Sequence, residues 1–155
     1  MKAFTKYTNL EDTLIALKQQ VADSIDFCIV NFSGMRSADE LFYILKNHVH
    51  YVNDPKNVET IQTAQTLLSK KNVLGSYGAG DCDCFTVLAS ACFEANNWPY
   101  QIRLVGNGKH PTHIYNIVKC PKLGWMPFDL TNPIPGIERK YYKMQTLPVN
   151  IIWKN

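Results

Sequence analysis

The sequence has no apolar run long enough to cross a membrane. Its longest apolar stretch, Phe27 to Phe32, is far shorter than the roughly 18 residues that a transmembrane helix requires. This stretch is predicted to be a buried strand or the end of a helix. The N-terminal residues also lack the apolar core of a secretory signal, because Lys6, Glu11 and Asp12 interrupt it. Both absences exclude a membrane role and predict a cytoplasmic protein.

A strong excess of one charge is also missing. The 16 Lys and Arg residues nearly balance the 13 Asp and Glu residues, for a formal net charge of +3, and the basic residues are scattered along the chain. Proteins that bind nucleic acids usually gather basic residues on one face. The composition therefore indicates no nucleic-acid partner.

The five cysteines include no C-x-x-C pair, and their spacing matches no closed four-ligand zinc site. Their odd number, without a signal peptide, is typical of reduced thiols rather than of a disulfide framework. Most of them are therefore expected in the core, and zinc binding is the weaker alternative. No cofactor or resident metal is predicted.

Length and composition predict one domain. The chain has 155 residues, of which 46% are hydrophobic, and a domain of this size buries about two-thirds of its unfolded surface without disulfides or metals. No linker or internal repeat divides it. We interpret residues 1–34 as an N-terminal helical segment, 35–133 as the core, and 134–155 as a C-terminal extension of the same domain.

Hydrophobic periodicity predicts helices in the first part of the chain and strands in the second. Helices are expected at about residues 9–22, at 37–49 behind a Ser37–Glu40 capping box, more weakly from Val58, and at 81–96. From Tyr100 the period changes to two, which predicts strands at 100–106, 112–119, 124–129 and, near the chain end, 149–153. This order predicts an α+β fold in which the helix at 81–96 packs on a small antiparallel sheet.

Cys82 lies where that helix is expected to begin. Unpaired N–H groups and the helix dipole at such a position lower the pKa of a thiol from about 8.5, so Cys82 is expected to exist partly as thiolate. The preceding Gly78-Ala79-Gly80 lets a substrate carbonyl approach the backbone closely, and the Cys82 N–H can donate to an oxyanion. Taken alone, the position is also typical of a buried core cysteine.

His113 and Asp129 supply partners for this thiol. His113 lies early in one predicted strand, and Asp129 ends the next. If Val118 pairs with Gly124 in the hairpin between them, His113 falls directly opposite Asp129. The carboxylate would then orient the imidazole, whose other nitrogen would face the thiol.

Three blocks of the sequence resemble the transglutaminase-like superfamily, in particular its small bacterial and phage-encoded members. They are the Gly80-Asp81-Cys82 start of the helix, the strand that begins at His113, and the Gly-Trp-x-Pro-x-Asp strand that ends at Asp129. The resemblance covers about residues 35–133. It implies a papain-like triad of Cys82, His113 and Asp129 on an α+β fold, with chemistry that ranges over peptide hydrolysis, amide hydrolysis and acyl transfer to an amine.

The chain departs from this resemblance at Cys84, where many relatives carry an acid. On a helix Cys84 is turned about 200° from Cys82, so Cys84 and Cys92 are expected in the core. Some transglutaminase-like proteinases bind calcium through acids beside the nucleophile, and Asp81 and Asp83 are similar to these. Two carboxylates fall short of the about six to eight oxygens that calcium takes, so acids that offset the helix dipole are the simpler interpretation.

Other parts of the site stay open at this level. His110 is an alternative to His113 as the base, but it precedes Pro111 in a predicted turn, where it would be poorly positioned. Trp125 would either anchor the core or line the acyl-binding pocket. The second oxyanion donor is left among backbone N–H groups and three side chains, namely Ser76, Tyr77 and Asn47.

These residues predict a cysteine peptidase or amidase that acts on a protein or peptide through a thioester acyl-enzyme. A small open site excludes water poorly, which favours hydrolysis over transfer to an amine. Two alternatives remain. One is a phage particle or assembly protein, located in the virion, that carries this fold with incidental or lost activity. The other is a protein-glutamine acyltransferase. The sequence leaves the oligomeric state open.

Overall fold

The computed structural model describes residues 2–4, 10–56, 58–120 and 124–148. Five helices and eight strands lie along these residues. In chain order they are β1 (Lys2–Phe4), α1 (Leu10–Ala22), α2 (Ile25–Phe32), α3 (Ala38–Lys46), β2 (His50–Tyr51), β3 (Glu59–Ile61), α4 (Ala64–Leu67), β4 (Ala79–Gly80), α5 (Cys82–Ala95), β5 (Tyr100–Gly106), β6 (His113–Cys120), β7 (Gly124–Phe128) and β8 (Lys143–Pro148). None of the helices so described is long and apolar enough to span a bilayer.

Strands β5 to β8 form one antiparallel sheet in the order β7-β6-β5-β8, and α5 packs against it. Alternate residues of each strand face the helix, because successive side chains of a strand point to opposite faces. The shared core contains Val87, Leu88 and Ala91 of α5 together with Ile102, Ile114, Val118 and Phe128 of the sheet. The predicted α+β architecture is thus confirmed. Strand β8 was not predicted, and the strand predicted at 149–153 lies outside the described residues.

The other face of the sheet is covered by the segment between β7 and β8. Val105 and Tyr115 belong to a second, smaller apolar cluster on this face, and Tyr141 of the segment packs against it. Glu138 fastens the segment, because its carboxylate accepts a hydrogen bond of 2.6 Å from the Tyr115 hydroxyl and pairs with the Arg103 guanidinium. The segment is therefore held against the sheet beside the start of β6.

The apolar stretch at Phe27 to Phe32 forms the C-terminal part of α2. Of its two predicted forms, a buried strand and the end of a helix, the second is the observed one. It is buried on one side only: Cys28 is fully buried, whereas Val30 is 82% exposed. Such one-sided burial is typical of a helix packed on a core. The following helix, α3, has its predicted cap at Ser37 but ends at Lys46, short of the predicted residue 49.

The weak helix predicted from Val58 is wrong. Residues Glu59–Ile61 form strand β3, which pairs antiparallel with β1, and only the short α4 follows. The Asp54 carboxylate supports the strand by accepting a hydrogen bond of 2.5 Å from Thr60 N. Thr60 and its neighbour are β-branched residues that favour strands once a partner is present. Local periodicity cannot detect that partner, because it comes from the start of the chain.

A short parallel pair, β2 with β4, leads the chain into α5. Tyr51 is paired with Gly80, so the loop before α5 lies against the chain that follows α3. Gly78 permits this approach: it has a φ of 75°, and a Cβ there would be 1.8 Å from the His48 carbonyl oxygen. This pair stands apart from the main sheet and brings Tyr51 beside the start of α5.

Candidate active site

Cys82 is the first residue of α5. Asp81 caps the helix, because its carboxylate accepts a hydrogen bond of 3.2 Å from Asp83 N. Cys82 is partly exposed, whereas the other four cysteines of the chain are buried. The helix start that the sequence predicted is therefore present, and Cys82 is the cysteine that a reagent reaches most easily.

His113 and Asp129 are in direct contact, with 2.6 Å between His113 Nε2 and Asp129 Oδ2. The predicted register is wrong by two residues, since Val118 pairs with Met126 and not with Gly124. Gly124, at a φ of 70°, is paired with Cys120, the last residue of β6. A shift of two residues preserves the face on which each side chain lies. Asp129, just beyond β7, therefore still reaches His113, along a diagonal.

The Asp129 carboxylate is held in its charged form. It is 8% exposed, and its second oxygen accepts hydrogen bonds from Thr131 N at 3.0 Å and Thr131 Oγ1 at 2.7 Å. Burial by itself would raise the pKa of Asp129, but the His113 hydrogen bond and charge, together with the Thr131 bonds, outweigh burial and lower it. An ionised Asp129 can accept a hydrogen bond from His113 and thereby orient its ring.

Two tyrosines flank the His113 ring. The Tyr115 ring is stacked on it, with 5.5 Å between the ring centroids and 30° between the ring planes. The Tyr141 ring has a centroid distance of 6.5 Å and an interplanar angle of 31°. Tyr115 is in turn fixed by its hydroxyl bond to Glu138. The ring is thus restrained on its faces by aromatic packing and at Nε2 by Asp129, which leaves Nδ1 as the nitrogen free for chemistry.

Cys82 approaches this pair through the backbone of β6. The Ile114 N–H donates a hydrogen bond to the Cys82 sulfur, and Thr86 Oγ1, one turn further along α5, lies 3.4 Å from the Ile114 carbonyl oxygen. Within the described chain no direct hydrogen bond joins the Cys82 sulfur to the His113 ring. The structure therefore brings His113 and Asp129 together, and places Cys82 against the residue that follows His113.

The pKa of Cys82 moves in the direction opposite to the sequence prediction. Burial raises the pKa of this thiol well above its usual value, and the nearby carboxylates of Asp83 and Asp81 raise it further, while the Ile114 N–H opposes them. The pKa of Asp81 is itself raised to about 8 by burial and by the charges of Asp83 and Asp54. The expectation of a thiolate in the resting protein is therefore wrong, because the charged form is desolvated among acids.

The two acids predicted as a weak calcium site, Asp81 and Asp83, do not belong to one cluster of potential metal ligands in the described residues. Ligand oxygens of Asp54, Glu59 and Asp81 lie within 4.8 Å of one another, but Asp83, the predicted partner of Asp81, is outside this group. Three carboxylates reach the lower limit of the about six to eight oxygens that calcium takes only if each of them binds through both of its oxygens. Within the described residues no cysteine belongs to a potential metal cluster.

The four side chains predicted around the oxyanion and acyl pocket have other surroundings. Ser76 Oγ lies 3.4 Å from His50 Nε2, Asn47 is the exposed C-cap of α3, and Tyr77 is 56% exposed. Trp125 is 46% exposed and pairs with Lys119 near the hairpin end of β7. No hydrogen bond or ring contact in the described chain joins any of them to Cys82.

Sequence reasoning missed Tyr51. Its ring packs edge-to-face on the Phe85 ring, with 6.2 Å between the ring centroids. Phe85 lies on the same side of α5 as Cys82, one turn further on. Burial and the neighbouring Cys82 raise the pKa of Tyr51 to about 12, so its hydroxyl remains protonated and able to donate. No sequence signal marks Tyr51, because the pairing of β2 with β4 brings it here.

Cys84 and Cys92 are core residues, as predicted. Cys84 is 1% exposed and Cys92 is fully buried. The Cys84 thiol donates a hydrogen bond of 3.3 Å to the Thr60 carbonyl oxygen. Cys84 thus ties α5 to β3 and faces away from the side on which Cys82 meets β6.

No protein-family model and no curated protein matches the sequence, but solved structures resemble its fold. A candidate protease from Parabacteroides distasonis is 14% identical with a TM-score of 0.50, over 83% of this chain and 27% of that one. A candidate cysteine protease from Cytophaga hutchinsonii is 13% identical with a TM-score of 0.41, over 91% of this chain and 55% of that one. A TGase is 15% identical with a TM-score of 0.42, over 89% of this chain and 38% of that one.

The chain spans between 27% and 55% of the lengths of these proteins. The likeness to the first of them shows a shared fold, and the α+β architecture predicted from the sequence is confirmed. The resemblance to the transglutaminase-like superfamily stays a prediction. Membership of the phage-encoded type stays a prediction.

Proposed function

We propose that this protein is a cysteine peptidase or amidase in which Cys82 is the nucleophile, His113 the acid and base, and Asp129 the residue that orients His113. The observation that carries the proposal is the His113–Asp129 contact of 2.6 Å beside the partly exposed thiol at the start of α5. A nucleophile, a base and a group that orients the base are the three parts that such catalysis requires.

In the proposed reaction the thiol is deprotonated as it attacks, because its resting pKa is raised. His113 Nδ1 takes the proton while the sulfur bonds to the substrate carbonyl carbon. The oxyanion accepts hydrogen bonds from the Cys82 N–H, which the helix itself leaves unpaired, and from the Tyr51 hydroxyl. His113 then protonates the leaving amine as the C–N bond breaks. Water, deprotonated by His113, finally cleaves the thioester and restores the thiol.

A protein or peptide amide is the proposed substrate, and transfer of the acyl group to a second amine instead of water is the alternative outcome. A second candidate function is a non-catalytic structural role. The observation that favours it is the acidic surroundings of Cys82, since Asp83 and Asp81 oppose formation of the thiolate.

The test is labelling with a peptidyl acyloxymethyl ketone, followed by mass spectrometry to identify the modified cysteine. We expect modification at Cys82, loss of labelling in Cys82→Ala and His113→Ala, and retention in Cys84→Ala. Hydrolysis of a peptide thioester with and without an added amine separates hydrolase from acyltransferase. Unmodified Cys82, or labelling that persists in His113→Ala, would favour the structural role.

A further inference from the structure

A pocket of about 190 Å³ lies at the end of β5 and β8, next to the loop that leads into β6. Its wall combines strand residues with loop residues: Leu104, Val105, Lys109, His110, Lys143 and Met144. In the described chain no carboxylate lines it. The proposed catalytic reaction does not use any of these side chains.

The charged residues of the pocket have one sign. Lys109 comes from the loop and Lys143 from the start of β8, where it is paired with Gly106. Each lysine offers an ammonium group with three donors and no acceptor. Two ammonium groups beside apolar walls attract an anion that carries an aliphatic part.

The size of the pocket restricts this anion. At about 190 Å³ the pocket is smaller than the roughly 300 Å³ at which sites for whole drug-sized ligands begin. One short side chain or one terminal residue would fill it. An amino-acid carboxylate satisfies the charge, the size and the apolar wall together.

The loop that forms one wall is held in place. Thr112 N donates a hydrogen bond of 2.9 Å to the Val105 carbonyl oxygen, and Tyr142 N donates one of 3.0 Å to Asn107 Oδ1. Gly106 permits the close fold, because a Cβ there would be 2.9 Å from the His110 carbonyl oxygen. The pocket is therefore part of the folded structure.

The pocket adjoins the proposed catalytic residues. Its residues Val105 and Leu104 are paired with His113 and Ile114 of β6, and the Ile114 N–H contacts the Cys82 sulfur. Neighbouring strands are about 4.8 Å apart. A group bound in the pocket would thus lie on the strand next to the one that carries His113 and contacts Cys82.

We propose that this pocket binds a carboxylate of the substrate, either an acidic side chain or a C-terminal carboxylate, next to the carbonyl that Cys82 attacks. This inference rests on the proposed function. The carboxylate of Asp83, at the start of α5, would repel the same group. The positive pocket and the acidic start of α5 would therefore orient the substrate with its carboxylate towards the pocket.

Binding can be measured without catalysis. Three matched probes, N-acetylglutamate amide, N-acetylglutamine and N-acetylglutamine amide, carry a side-chain carboxylate, a terminal carboxylate and none. We expect saturable NMR shifts at the backbone amides of Gly106, Gly108 and Met144 from at least one carboxylate probe, and the active probe identifies the source. The shifts should disappear in the double variant Lys109→Ala/Lys143→Ala and persist in Lys119→Ala, an exposed lysine outside the pocket. No shift, or equal shifts from the neutral amide, would overturn the proposal.

Labelling kinetics then show whether the pocket serves Cys82. Acyloxymethyl ketones with Glu or Gln beside the reactive carbonyl should differ in rate, the Glu probe being faster by about three- to fivefold for each lysine. The double lysine variant should remove this preference, and Lys119→Ala should keep it. Equal rates in the wild type would overturn the subsite while the proposed function stands. If neither probe modifies Cys82, the proposed function fails, and the NMR experiment still decides whether the pocket binds carboxylates.

Discussion

Replacement of Asp83 by asparagine tests the inference that acids keep Cys82 protonated. After burial, Asp83 is the largest cause of the raised pKa of Cys82. Asparagine has the shape of aspartate and a polar side chain, but no charge. Asp83→Asn should therefore lower the pKa of Cys82.

The size of the effect follows from two opposing factors. A neighbouring charge changes a pKa by about one unit or more, which raises the thiolate fraction about tenfold at pH values below the pKa. A less basic thiolate is also less nucleophilic, by about threefold for each unit. Asp83→Asn should therefore alkylate about threefold faster at pH 7, and its rate-against-pH curve should move to lower pH by about one unit.

The assay is the rate of carboxamidomethylation of Cys82 by iodoacetamide between pH 5 and pH 10, read by mass spectrometry. Asp39→Asn is the matched control, because Asp39 occupies the first turn of α3 as Asp83 does in α5. It should leave the curve unchanged. A curve for Asp83→Asn that stays in place or moves to higher pH would refute the electrostatic reasoning.

Tyr51→Phe should slow acylation by an amide substrate about a hundredfold, as loss of one oxyanion donor does, and leave alkylation by iodoacetamide unchanged, since alkylation forms no oxyanion; a loss in both assays would contradict the assignment. Because the pKa of Asp129 is lowered, its charge contributes fully to stability above the ordinary aspartate pKa of about 4. This contribution is lost as the pH falls through the lowered pKa. Urea unfolding of Asp129→Asn should accordingly show a larger loss of stability at pH 7 than at pH 3, and equal losses would argue against a charged pair with His113. Cys84→Ala should leave labelling intact and lower the free energy of unfolding by about 1–3 kcal/mol, whereas Cys84→Ser should lose less, because its hydroxyl can donate to the Thr60 carbonyl oxygen. A chelator should not alter the labelling of Cys82, and a loss that calcium restores would instead indicate a metal site.

Much of the candidate site is encoded locally. Asp81 in front of an unbroken run of small and apolar residues predicts the start of α5, and thereby the position of Cys82 on a helix terminus. Alternation with a period of two predicts that His113 and Asp129 lie on neighbouring strands. The hairpin register was predicted two residues away from the observed one, yet the His113–Asp129 contact survives, because the period of a strand returns the same face after two residues.

The remaining features depend on contacts between distant parts of the chain. Strand β3 replaces the helix predicted from Val58 because β1 pairs with it. Tyr51 reaches the start of α5 only through the pairing of β2 with β4, and Tyr141 reaches His113 only because Glu138 fastens its segment to Arg103 and Tyr115. No periodicity in the sequence records such partners.

The ionisation of Cys82 shows the same division most clearly. The local sequence places this thiol at the start of a helix, where unpaired N–H groups favour a thiolate. The direction of its pKa depends on the folded protein, because burial and the charges of Asp83, Asp81 and the remote Asp129 oppose that effect. A local sequence pattern fixes the orientation of the backbone dipoles, whereas solvent exclusion and the positions of distant charges exist only once the chain has folded.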